Sequence, residues 1–186
     1  EYLEKFPDGR YAGDMHYRLA FIDFNDKEED QSDKVIRDLT KFLNDHPDDD
    51  ANASMLCLLA DTYKRKNKEN EALEAYKKAV WTSSPEDVIQ YALDSATTIL
   101  QGRKDWAGVA ELHGEFLKRK PESSLALLSA TWVAKMKIRE GKATEAACWA
   151  LSSQRMLRCS STFRARSRRH ASRCQYMARR PAPSSA

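Results

Sequence analysis

The residue types able to do chemistry in this chain are few and scattered. The histidines are His16, His46, His113 and His170, and the cysteines are Cys57, Cys148, Cys159 and Cys174. The last three cysteines are separated by eleven and fifteen residues, which matches neither a CxxC redox pair nor a zinc-ligand spacing. Four cysteines in 186 residues are also too sparse for a disulfide scaffold. No HExxH, GxGxxG, Walker loop or GxSxG occurs. The acidic run DHPDDD at 45–50 lacks the glycine and the alternating oxygen ligands of a calcium loop, so capping and solvation suit it better. His16 and His113 fall inside helical patterns, where a histidine packs rather than ligates. The expectation is a chain that is not an enzyme, with no catalytic residue, no metal site and no cofactor.

The elements that must hold such residues are set out by composition. At 186 residues the chain is long enough for one sizeable core. Its longest apolar runs, such as Leu125–Leu128, fall far short of the roughly 20 residues that span a bilayer, so no transmembrane segment is expected. Net charge is divided. Residues 1–146 carry 22 Lys and Arg against 28 Asp and Glu, a balance of −6, whereas residues 147–186 carry nine Arg and no acid, +9. All fifteen lysines lie at or before Lys142. The chain opens on Glu1 in mid-phrase, as a fragment or processed product would. The Arg- and Ser-rich stretch 148–186 has too little apolar periodicity to offset its ordering entropy and is expected to be disordered or out of frame. A reading-frame slip in a GC-rich gene, a disordered natural tail and an arginine-rich nucleic-acid arm all produce that composition.

One phrase recurs. YLEKFPD at 2–8 returns as FLNDHPD at 42–48 and FLKRKPE at 116–122, with a degenerate copy, VWTSSPE, at 80–86. The prolines, Pro7, Pro47, Pro85 and Pro121, are 40, 38 and 36 residues apart, the signature of a repeated supersecondary unit. Between the marks the period is helical twice over. Leu56, Leu59, Ala60 and Tyr63 form one helix face; after the polar KRKNKEN, Ala72, Ala75, Tyr76, Ala79 and Val80 form another. Each unit reads as a helical hairpin that buries its apolar faces only by stacking on its neighbours. Small residues belong where two helices cross, and the aromatics fill the space beside them. Proline cannot continue the helix before it and suits the first turn of the helix after it. At SPED, 84–87, Ser84 is the expected N-cap and Pro85 the first helical residue, with Glu86 and Asp87 at the positive end of the helix.

Residues 53–86, through Leu56, Leu59, Ala60, Tyr63, Ala72, Tyr76 and Ala79, resemble the tetratricopeptide repeat. The other units match it less fully. In the first, Leu19 and Ala20 take the Leu-small positions, ahead of a long inter-helix turn NDKEEDQSD. In the third, Thr97 stands where a small residue belongs. In the fourth, Ala130, Val133, Ala134, Gly141 and Ala146 fit. The resemblance implies an all-α fold, a right-handed superhelix of stacked antiparallel hairpins with a disordered basic tail. Its divisions would be 1–8, the end of a preceding repeat, then units at about 9–47, 48–85, 86–121 and 122–147, then the tail 148–186. The form aromatic-Leu-x-x-x-Pro-acid also resembles repeats of bacterial cell-envelope proteins, the outer-membrane assembly lipoproteins and Tol-Pal-associated proteins, which favours periplasm or envelope over cytoplasm.

The same resemblance implies a concave groove lined by the first helix of each hairpin. Carried across unit by unit, the groove positions are Tyr17, Phe21 and Phe24; Cys57, Asp61, Lys64 and Arg65; Tyr91 and Asp94; and Thr131 and Lys135. An aromatic end and a mixed-charge middle suit an extended peptide or a partner helix. Asp61 would repel the C-terminal carboxylate that some members of the family clamp. Phe21 and Phe24 can equally pack against a preceding unit. The expected function is a non-enzymatic scaffold for protein or peptide partners, with nucleic acid an unfavoured partner. Two alternatives stand beside it: a substrate-recruiting domain of a larger enzyme, and nucleic-acid or acidic-partner binding through the Arg-rich tail.

Overall fold

A computed structural model describes residues 2–6, 9–26, 29–82 and 84–141. All regular structure among the described residues is α-helical: α1 (Tyr2–Lys5), α2 (Ala12–Phe24), α3 (Ser32–Asp45), α4 (Asn52–Arg65), α5 (Glu69–Trp81), α6 (Glu86–Gly102), α7 (Trp106–Arg119) and α8 (Ala126–Arg139). The described helices include none long and apolar enough to cross a membrane. The expected second helix of the fourth unit and the basic tail 148–186 lie outside the described residues.

The chain forms two compact units, Glu1–Arg103 and Lys104–Ala186. The division falls inside the expected third hairpin, between α6 and α7. In the first unit each helix packs on the next, α2 on α3 through to α5 on α6, and the alternate helices α2, α4 and α6 also touch in sequence. In the second unit α7 packs on α8.

The helical periods account for this packing. Helix α4 has neighbours on most sides and buries Met55, Cys57, Leu58, Leu59, Ala60 and Thr62. Ala60, Ala72, Ala79 and the ring of Tyr76 have no exposed surface, so small residues stand where α4 and α5 come close and the aromatic fills the space beside them. Thr62 and Thr97 enter the core without a polar penalty, because each hydroxyl donates to the carbonyl one turn back, Leu58 O and Leu93 O, both at 2.7 Å. Leu19 departs from its expected place: it is 53% exposed while its neighbour Ala20 is buried.

The same backbone hydrogen bonds flank the repeated phrase three times. The residue before each proline ends a helix: Phe6, His46 and Lys120 donate their N–H to Tyr2 O, Phe42 O and Phe116 O. Three residues on, Gly9, Asp49 and Ser123 donate back to Phe6 O, His46 O and Lys120 O at 3.1, 3.3 and 3.3 Å. Three further on, Ala12, Asn52 and Ala126 donate to Gly9 O, Asp49 O and Ser123 O at 2.7, 3.1 and 3.0 Å, and there the next helix begins. Side chains reinforce the later two copies. Asp49 Oδ1 accepts from Ala51 N–H at 2.8 Å and Ser123 Oγ from Leu125 N–H at 3.2 Å. Gly13 is glycine for a local reason: a side chain there would overlap the Asp49 carboxylate.

This corrects the expected role of two prolines. Pro47 and Pro121 lie in the turn, five residues ahead of Asn52 and Ala126, where the following helices start. They stop one helix without opening the next. At the degenerate copy the turn is absent and α6 starts at once, with Pro85 itself as N-cap at φ −53° and ψ 144°. The expected assignment of Ser84 as cap is therefore one residue early; ψ near 144° is the extended value of a residue just outside the helix.

Helices α4, α6 and α8 end alike. Asn67, Lys104 and Gly141, each the second residue after α4, α6 and α8, adopt φ of 56°, 59° and 77°. After α4, Asn67 N–H donates to Lys64 O and Lys68 N–H to Tyr63 O, the paired bonds of a left-handed helix stop. Glycine takes this conformation freely, asparagine at little cost and lysine at a penalty of about 1 kcal/mol. Lys104→Gly should therefore raise stability by about 0.5–1 kcal/mol in urea unfolding, with Lys104→Ala giving no comparable gain.

Candidate functional site

On α2, Tyr17, Phe21 and Phe24 follow spacings of four and three, so they share a face. Helix α4 carries Cys57, Asp61, Lys64 and Arg65, and α6 carries Tyr91 and Asp94. These three helices are neighbours in the first unit.

Asp61 is the centre of the arrangement. Tyr91 Oη donates to its carboxylate, standing 2.9 Å from both oxygens, and Tyr76 Oη donates to Oδ1 in a short hydrogen bond. The two tyrosine rings meet edge to face, centroids 6.3 Å apart. One carboxylate on α4 thus ties α5 and α6 to it. Burial first, then the hydrogen bond to Asp61, raises both phenol pKa values above the ordinary range. One turn before Asp61, Cys57 is buried; burial and the carboxylate push its thiol up to about 12, so it stays protonated and unreactive. Tyr17 is half-buried, and its phenol pKa is raised by burial, then by Cys57 and Asp61.

The aromatic end is anchored differently. Tyr17 and Phe21 stack with centroids 6.0 Å apart, and Phe21 is 48% exposed. The guanidinium of Arg65 lies 3.7 Å from the centroid of the Phe24 ring, and its Nη1 donates to Phe24 O at 2.5 Å. Asn25 Nδ2 donates to Phe21 O at 2.7 Å. The Arg65 bond satisfies a carbonyl at the C-terminus of α2, where a cation is favoured, and Asn25 adds its side chain to a carbonyl that already accepts its backbone N–H at 3.1 Å. Lys64 and Asp94 are exposed.

The structure therefore brings Tyr17, Cys57, Asp61 and Tyr91 into one cluster and ties Phe24 to Arg65. Cys57 lies beneath the surface of that cluster. Thr131 and Lys135 belong to the second unit: the Thr131 hydroxyl donates to Leu127 O at 2.9 Å, and Lys135 Nζ lies 4.7 Å from the Trp132 ring centroid. Tyr76 is the member that sequence reasoning assigned to packing alone. The signal was available, since a buried tyrosine hydroxyl has to find an acceptor and Asp61 is the acid one turn from the end of the facing helix.

His113 and His16 pack against aromatic rings. His113 is fully buried in the second unit, its Nδ1 3.1 Å from Ser129 Oγ and its ring stacked on Trp132 with centroids 5.8 Å apart. His16 packs on Phe42 at 4.8 Å, and burial, then the neighbouring His46, lowers its pKa. Among the described residues, no group of three or more His, Cys, Asp or Glu side chains is placed to hold a metal ion. Compared with protein-family models, curated proteins and solved structures, the chain matches none.

Two outcomes follow from these environments. Asp61→Ala removes the acceptor of the buried Tyr76 hydroxyl and should cost about 1–3 kcal/mol of stability, and adding Tyr76→Phe should recover much of it, read in a double-mutant cycle by denaturant unfolding. Burial pushes the His113 pKa down to about 4. In the unfolded chain this group protonates near the ordinary histidine value of 6.5. Between those values the unfolded state holds the extra proton, so stability falls as pH drops from 6.5 towards 4, by up to about 3 kcal/mol. His113→Gln should flatten that slope by up to one proton in unfolding curves taken across the window.

Proposed function

We propose that the protein is a non-enzymatic, tetratricopeptide-like scaffold that binds an extended peptide or a partner helix on the face shared by α2, α4 and α6. The observation that carries this reading is the Asp61 cluster with its exposed rings. Phe21 and Tyr91 are each 48% exposed, yet Phe21 is stacked on Tyr17 and Tyr91 is held by Asp61. Rigid, half-exposed aromatics lose little entropy on binding and dominate interface energetics. Asp61 and Asp94 add acceptors, and Lys64 adds a donor at the edge. The phrase aromatic-Leu-x-x-x-Pro-acid favours a bacterial cell-envelope member of such a family.

The test uses the full chain as bait for a phage-displayed library of random linear peptides, followed by affinity measurement with a synthetic consensus peptide. The expected result is a consensus whose affinity drops tenfold or more with Phe21→Ala or Tyr91→Ala, a loss of about 1.4 kcal/mol each. Lys41→Ala, on the exposed side of α3, should leave it unchanged. Failure to enrich any consensus, or a peptide indifferent to both aromatic substitutions, would overturn the reading.

A further inference from the structure

The three copies of the turn put α2 and α4 in a common register, forty residues apart. Met15 matches Met55, Leu19 matches Leu59 and Ala20 matches Ala60, identical at all three positions, while Ile22 matches Thr62. Their burial differs sharply. Met55, Leu59 and Thr62 are 0%, 6% and 0% exposed, whereas Leu19 and Ile22 are 53% and 65% exposed and Met15 is half-buried. The reason lies in the layer over α4. Its Met55 and Leu59 sit in one cluster with Ala20 of α2 and with Val35, Leu39 and Phe42, a stripe of spacing four and three on α3. Helix α4 is thus covered by the hairpin α2–α3, and the same register positions on α2 are left uncovered.

We propose that the outer face of α2, Met15, Leu19 and Ile22, docks a further helical hairpin in register with the repeat, whose second helix runs into α1. Helix α1 sets the polarity of that hairpin. Tyr2 and Leu3 stand where Phe42 and Leu43 close α3, and Tyr2 already packs on Phe6 and Tyr11, with centroids 5.5 and 6.4 Å apart. The docked helix therefore presents an apolar stripe of the Val35–Leu39–Phe42 kind, two turns long, ending at the position of Tyr2. This surface is distinct from the Asp61 cluster and does not depend on its role.

The test splices a second copy of residues 9–41 directly ahead of Tyr2 in the full chain, so that an α3-like helix leads into YLEKFPD. The added segment should gain helical circular dichroism in proportion to its length. Leu19→Asp should shift the melting temperature little in the parent chain and lower it by several degrees in the extended one. An added segment that gains no helix, or a Leu19→Asp shift equally small in both chains, would overturn the proposal. So would concentration-dependent self-association of the parent chain abolished by Ile22→Asp, because the face would then belong to a second copy.

Discussion

The first unit depends on a turn of fixed length. A helix stops one residue before a proline, two backbone hydrogen bonds carry the chain over six residues, and the next helix begins. Because the count is constant, residues at equal distance after the phrase occupy equivalent places, and a sequence repeat becomes a repeat of packing. Proline enforces the stop by having no N–H to donate. The residue two past it does the rest, through Asp49 Oδ1 in one copy and Ser123 Oγ in another. Where the phrase degenerates, at Pro85, the turn disappears and α6 starts directly.

Given that register, electrostatics does the joining. A carboxylate among three helices is costly unless its oxygens are satisfied, and Tyr76 and Tyr91 meet that demand from α5 and α6. The exchange is mutual, since the Tyr76 hydroxyl has no exposure to water and needs the acceptor. One turn further on, at the C-terminus of α4, Arg65 reaches back to Phe24 across 41 residues and closes the terminus of α2. Two polar residues one turn apart thus bind α4 to α2, α5 and α6, with half-exposed aromatic rings standing above them.

Much of this could be read from residue order, and the misses share a cause. The helices of the second hairpin followed from the spacing of Leu59, Ala60, Tyr63, Ala72 and Tyr76, because a 3.6-residue period depends on the chain alone. The recurring proline was recognised as a boundary, but its place within the connection was not, because a turn of given length can be spread in several ways between two helices. Leu19 was assigned a packed position by analogy with Leu59; local sequence says that a side chain is apolar, and a neighbour decides whether it is covered. Cys57 was assigned to a binding surface by position in the repeat, whereas α4 is so enclosed that the thiol lies in the core.

The sequence by itself determined the helical periods, the recurrence of the proline phrase as a boundary, and the absence of any patterned catalytic motif, since each depends on residues within a few positions of one another. Tertiary structure decided what those residues face. It joined Asp61 to tyrosines fifteen and thirty residues away and gave Arg65 the last carbonyl of α2. It also buried His113 against Ser129 and left Leu19 and Ile22 in water. Burial and hydrogen-bond pairing depend on which helices come to lie side by side, and helical periodicity specifies that a face must be covered without naming the neighbour that covers it.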